Sequence, residues 1–355
     1  MTPYSSLPPK NFWSPAVGKR DAKAITDLWT PKLPVSQSDV VATFGSCFAQ
    51  HFGKALAKRG YRWTNYEPAI RGLSAETVAA FNYDVFSART GNIYTVGILE
   101  QWVNWATKRS EPPDEIWEKD GRFYDPFRPA IEPEGFEAAV EIAANRQITI
   151  RAFAEAMTDS DVFVFTLGLT ESWHNKADGY EYPMCPGTVA GDFDACRHGF
   201  VNTDYPGIRA SLQSTIDKMH EINPDLRILL TVSPVPLTAT ASDQHVLVAT
   251  TYSKSTLRAV AGDVAAGNPL VDYFPSYEII TAPPFAGQFF AANKRSVLAE
   301  GVDHVMRMFF AGQAGRFGAE PEAPAATAGL VVESDDGEDG VVCEEALLNA
   351  FAPKV

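Results

Sequence analysis

The chain has 355 residues, of which 45% are hydrophobic and 21% charged, proportions that suit a soluble globular protein with a sizeable core. Its formal net charge is −14, and no basic cluster interleaved with aromatics offsets that balance, which argues against a nucleic-acid partner. No apolar run approaches a membrane span, and the opening stretch MTPYSSLPPKNFWSPAVGKR lacks the charged-then-apolar order of a secretion signal, so no membrane insertion and a cytoplasmic location are expected.

Five segments read as buried strands: 40–44, 61–65, 161–167, 227–232 and 270–274. Helical patterns lie between and after them, at 48–59, 97–107, 136–157, 208–222, 248–261 and 296–310. Strands alternating with helices predict an α/β fold, a three-layer α/β/α sandwich around a five-stranded, mainly parallel sheet. Ligands in such sheets bind at the carboxyl ends of the strands, so the chemistry belongs in the loops that follow them. Those loops are long: 171–205 is rich in aromatics, glycine and histidine, 233–245 reads SPVPLTATASDQH, and 111–133 reads as an irregular excursion.

Half of the net charge falls after Gly312, in an Ala/Pro/Gly-rich stretch that runs into VVESDDGEDGVVCEE. Such composition reads as a linker and solvated tail, although the apolar spacing in CEEALLNAF suits a short helix able to dock. The expected organisation is an N-terminal extension over 1–37, a catalytic domain over 38–312 and a tail over 313–355. The four cysteines, Cys47, Cys185, Cys196 and Cys343, have no CxxC spacing. Neither a metal site, a cofactor nor a disulfide framework is therefore predicted.

The stretch VVATFGSCFAQHFGKAL raises the chemical question, because it sets Ser46 and Cys47 at the turn from a buried strand into a helix. A nucleophile needs a sharp turn with backbone N–H groups beside it. The positive end of the following helix should lower a cysteine's pKa and steady a nearby oxyanion. A buried pair of small residues under the sheet would give the same pattern.

FGSCFA at 44–49 resembles the motif of the GSCFA family, itself similar to the SGNH (GDSL-like) hydrolases, whose fold is flavodoxin-like. The resemblance continues through FSARTGNIYT (86–95), FTLGLTESW (165–173), LTVSPVP (230–236), YSKSTLRA (252–259) and DYFPSYEII (272–280). It implies an esterase or O-acyltransferase acting by covalent catalysis on acylated carbohydrates or polysaccharide precursors. The partners implied are a carbohydrate or other small-molecule ester and an acyl-thioester donor. Cys47 takes the nucleophile position, with Ser46 the alternative if the register moves by one. Gly91, with Asn92 beside it, matches the second oxyanion-hole block. The third block falls on Gly168 to Glu171, which puts Thr170 where an asparagine normally donates.

The usual Asp-x-x-His before the last helix is replaced by Asn293-Lys294-Arg295-Ser296. The base must then come from elsewhere: His245 in the loop after the fourth strand, His174 after the third block, or Glu171, for which orienting a histidine or capping the insertion are equal alternatives. His304 reads as a helix-face residue. The missing acid and base, with threonine for asparagine, also fit a non-catalytic SGNH-fold binding protein.

Overall fold

Side chains along the central strands point alternately into two separate cores, the mark of a parallel sheet covered on both faces. In β1 (Val40–Gly45), Val41 enters one core while Ala42 and Phe44 enter the other. The computed structural model describes residues 2–318 and 343–353. From β1 the chain continues through α1 (Phe48–Lys58), β2 (Arg62–Trp63), α2 (Ala75–Ala80) and α3 (Val96–Ala106). A hairpin, β3 (Trp117–Lys119) and β4 (Arg122–Tyr124), leads into α4 (Ala139–Asp159) and β5 (Val162–Leu167). Three short strands follow, β6 (Glu171–Asn175), β7 (Glu181–Tyr182) and β8 (His198–Asn202), and then α5 (Tyr205–Ile222). The remainder is β9 (Arg227–Val232), α6 (Val246–Gly267), β10 (Val271–Tyr273), α7 (Ser276–Thr281) and α8 (Ala299–Phe317), with a 3-10 helix at Glu344–Phe351.

The five-stranded sheet has the order β10-β9-β5-β1-β2 and every pair in it is parallel. Helices α3, α4, α5 and α6 cover one face, and α1, α7 and α8 the other, giving the three layers expected. Val162, Phe163, Val164 and Phe165 of β5 are each only 1% exposed. Full burial of such side chains contributes about 1.5–3 kcal/mol apiece. Both edges are short, two paired residues in β2 and three in β10, against six residues in each of the three inner strands.

Two segments are more regular than their composition suggests. The 111–133 excursion contains the β3–β4 hairpin, whose turn uses Asp120 and Gly121 at φ of 51° and 75°. Positive φ at both central positions is what the Asp-Gly pair favours and what a type I′ two-residue hairpin turn requires. The 171–205 insertion forms a separate antiparallel sheet in the order β7-β6-β8, with Trp173, Phe193 and Phe200 packed together on it. The boundary expected at 312 falls inside α8, which ends at Phe317. Residues 343–353 lie against the body of the protein, and the linker and acidic run at 319–342 lie outside the described residues.

A buried ionic cluster steadies the segment that reaches the sheet's carboxyl edge. Asp125 accepts from Arg128 at 2.9 Å and from Arg146 at 2.7 Å, with Asp125 and Arg128 each 1% exposed. Arg128 also donates to Thr149 Oγ1 at 2.6 Å and to the Arg89 carbonyl at 3.3 Å. Thr149 in turn donates to Glu67, which accepts from the Arg89 backbone N–H. Arg89 therefore starts the 89–95 stretch from a fixed position.

Candidate functional site

In this strand order the chain leaves β1 toward β2 and returns on the other side of β1 as β5, so the switch point lies between β1 and β5. Gly45 ends β1 at φ +131°, and a Cβ there would collide with the Thr166 carbonyl of β5. Only glycine allows that close approach. Ser46 N–H donates to that same carbonyl at 3.0 Å, and Cys47 caps the start of α1. The turn is therefore held on the sheet's carboxyl edge, with Ser46 2% and Cys47 6% exposed. Ser46 Oγ has no hydrogen-bond partner among the described residues.

Two further segments close around this turn. Ile93 N–H donates to the Gly45 carbonyl at 2.8 Å, and the Tyr94 carbonyl accepts from the N–H groups of Gly168 and Leu169 at 3.0 and 2.9 Å. A Cβ on Gly168 would lie 2.9 Å from Ser46 Cβ, so the third block touches the first. Helix α6 ties this block down: Ser253 Oγ accepts from Thr170 N–H at 3.1 Å, and Lys254 Nζ donates to the Gly168 carbonyl at 2.6 Å. Lys254 is 1% exposed. Thr170 Oγ1 is buried without a partner among the described residues.

The C-terminal segment enters this site. The Cys343 thiol interacts with that of Cys47, and the Arg295 guanidinium lies 3.8 Å from Cys343 Sγ. The Glu344 carboxyl accepts from Asn92 Nδ2 at 3.1 Å. Glu345 accepts from Arg295 at 3.1 Å and from Thr238 N–H at 2.6 Å, while its own N–H donates to Tyr94 Oη. Adjoining Glu345 is a cavity of ≈ 560 Å³ lined by Trp173, Met184, Phe193, Phe200 and Glu171, and by Leu348 and Phe351 of the C-terminal segment.

These contacts redistribute protons. The hydrogen bond from Cys47, aided by Arg295, brings Cys343 down to about 6, and the same hydrogen bond together with burial pushes Cys47 well above the usual thiol value. Burial and the Cys343 thiol thus work against the acidification expected for Cys47 from the helix start, and that partner lies 296 positions further along the chain. Burial lowers Lys254 to about 8 against the pull of Glu345 and Cys47, and burial lifts Glu344 to about 7. A depressed thiol exists as thiolate above its pKa, so absorbance at 240 nm should rise as the pH passes upward through about 6. Cys343→Ser should abolish that step, and a wild-type chain without it would rule out the thiol pair.

The other sequence candidates occupy varied places. His245 is exposed and caps α6, its Nδ1 accepting from Leu247 N–H at 3.1 Å. His174 lies on β6 against Gly199 of the antiparallel sheet, whose Cβ would sit 3.0 Å from the His174 ring. Glu171 lines the cavity and accepts from Thr240 Oγ1 at 2.8 Å, and burial raises its pKa. Gly91, at φ +67°, lies next to Glu344, where an added Cβ would come within 3.3 Å of the carboxyl oxygen. His304, on α8, stacks on Phe289 from the loop before that helix, as a helix-face residue does.

Three charged or ionisable groups of the site escape sequence reasoning. Lys254 falls in register with Leu257 and Ala261 on the buried stripe of α6, and a lysine on an apolar stripe was the available signal. Arg295 occupies the tetrapeptide where an acid and base were sought. Cys343 belongs to the docking helix that the CEEALLNAF spacing suggests.

Fold and site together define an α/β/α protein whose cysteine-bearing strand-to-helix turn lies at the topological switch point. Residues 40–309 match the GSCFA family, and the chain belongs to it. No curated protein and no solved structure matches the chain. Among the described residues, no helix is long and apolar enough to cross a membrane, and no cluster of three or more His, Cys, Asp or Glu is arranged to hold a metal.

Proposed function

We propose that the protein is an SGNH-like esterase or O-acyltransferase that carries an acyl group on Cys47. The observation that supports this most is the placement of Cys47 on the carboxyl edge of the sheet, at the switch point, in a turn that Ile93 and Gly168 close around. In this reading Cys47 Sγ attacks the acyl carbon and the alcohol leaves. The N–H groups of Cys47 and Gly91, with the Thr170 hydroxyl, receive the oxyanion, and water or an acceptor hydroxyl then releases the acyl group. Ser46, whose hydroxyl is buried without a partner, is the alternative nucleophile.

For the base, the surroundings favour Lys254 over His245 or His174. It is buried, its pKa is near 8, and it responds to charge on Cys47. The aromatic and carboxyl groups lining the adjacent cavity suit an acylated sugar. The raised Cys47 thiol favours a second reading, a binding protein that keeps the fold without turnover.

One experiment separates the two readings. The chain is incubated with p-nitrophenyl acetate and butyrate, quenched in acid, and mapped by peptide mass spectrometry. The acyl mass is expected on Cys47. An adduct confined to Ser46 would move the nucleophile by one residue, and no adduct on either would favour the binding protein.

A further inference from the structure

The C-terminal helix docks in an unusual sense. Its apolar Leu347 and Phe351 remain 47% and 65% exposed, while Glu344 and Glu345 are 4% and 7% exposed. Helices ordinarily bury their apolar side chains and leave acids in water, so here the body of the protein is receiving carboxyl groups. The receiving groups are also held by contacts outside the helix. Asn92 is oriented by Gln50 of α1 at 3.4 Å, Arg295 is held by the Pro236 carbonyl at 3.1 Å, and Thr238 N–H is backbone. Gly91 leaves room for the Glu344 carboxyl, which an added Cβ would crowd.

The two subsites differ in character. The Asn92 amide donates to one oxygen of a carboxyl group that has no cation paired to it among the described residues, which suits the C=O of an acyl group as well as a carboxylate. The Arg295 and Thr238 pair supplies a full charge and a backbone donor, the equipment for a true anion. Cys343, whose Sγ lies 3.8 Å from the Arg295 guanidinium, interacts with the Cys47 thiol.

We propose that Asn92, Arg295 and the Thr238 N–H form a recognition site for carboxylate-bearing acyl compounds beside Cys47, and that the chain's own Glu344-Glu345 pair occupies it. The proposal rests on the reading of the Cys47 turn as the functional site. It adds that substrates carry an anionic group within reach of Arg295, and that the 343–353 segment competes with them.

The test uses the full chain and needs no turnover. Rates of alkylation at Cys47 by iodoacetamide, which is neutral, and iodoacetate, which is a carboxylate, are compared with those at the exposed Cys196 in the same molecule. Glu345→Arg sets like charges together and should release the segment, raising Cys47 labelling by about tenfold or more, the equivalent of roughly 1.4 kcal/mol. In that variant iodoacetate should be favoured at Cys47 relative to Cys196. Arg295→Glu should also unmask Cys47 but abolish the preference, and combining the two substitutions should restore occlusion. The combination also guards against misfolding of either single variant, because it restores an opposite-charge pair. Equal labelling of Cys47 in all four proteins, or unmasking without any iodoacetate preference, would overturn the proposal. Anion preference without acyl adducts would leave the recognition site intact and remove the catalytic reading, and adducts without anion preference would do the reverse.

Discussion

Cys47→Ala is expected to lower kcat/KM for p-nitrophenyl esters by about 10³-fold or more, with Cys47→Ser retaining a small part of it. The sulfur is the only atom replaced at a turn whose backbone is fixed by the Ser46 N–H to Thr166 hydrogen bond and by Gly45 packed on β5, so the fold should be unaffected. Circular dichroism and thermal unfolding of the variant would verify that. Lys254→Met provides the companion result. It keeps the stem that fills the core and removes the amine, so a base there predicts a loss of kcat together with loss of the rise in rate as the pH passes upward through about 8. A Cys47→Ala protein with wild-type turnover would exclude the nucleophile. A Lys254→Met protein with an unchanged pH profile would return the base to the histidines.

The second large effect concerns stability. Asp125→Ala should reduce the unfolding free energy by about 3–5 kcal/mol, because it strands the Arg128 and Arg146 guanidiniums in the interior without their carboxylate. Burial alone would raise the Asp125 pKa, yet the charges of Arg146 and Arg128 hold it below the ordinary value. A carboxylate depressed in the folded state contributes stability that is complete above about pH 4, its unfolded value, and disappears as the pH falls through the folded value. The deficit of the variant in urea unfolding should therefore be full at pH 7 and shrink toward strongly acid pH. A variant within 1 kcal/mol of wild type would mean that water reaches these arginines. Because Arg128 also holds the Arg89 carbonyl, the loss should extend to the 89–95 segment, with faster hydrogen exchange at Ile93.

The central sheet is legible in sequence because parallel strands covered on both faces read as unbroken apolar runs, as in VFVFTL of β5. The Cys47 turn is legible too, since strand, glycine and helix follow one another locally. Elements held by tertiary contacts are harder to read. Helix α7 continues from a strand-like run, YFPSYEII, and its Glu278 is fixed by Tyr273 and Arg258, the second of which lies on α6. The β3–β4 hairpin carries its Asp-Gly signal inside a stretch whose Pro and Glu content suggests irregular chain. The groups that set the charge at Cys47 come from α6, from the loop before α8 and from the C-terminal segment. Their approach depends on topology, which periodicity does not encode, and so the helix start alone predicts an acidic Cys47 while burial and the Cys343 thiol act to raise it.

The brevity of β2 and β10 has a consequence for how the molecule behaves in a crowded solution. An open sheet ends in rows of unpaired N–H and C=O groups that can template another chain. Here each border offers only two or three residues of ladder, and at β10 the backbone N–H of Lys32 from the N-terminal extension bonds the Asp272 side chain, setting that extension alongside the strand. Strand addition by a neighbouring copy would find too few donors in line to hold it, which protects a sheet of this hydrophobicity against fibrous self-association.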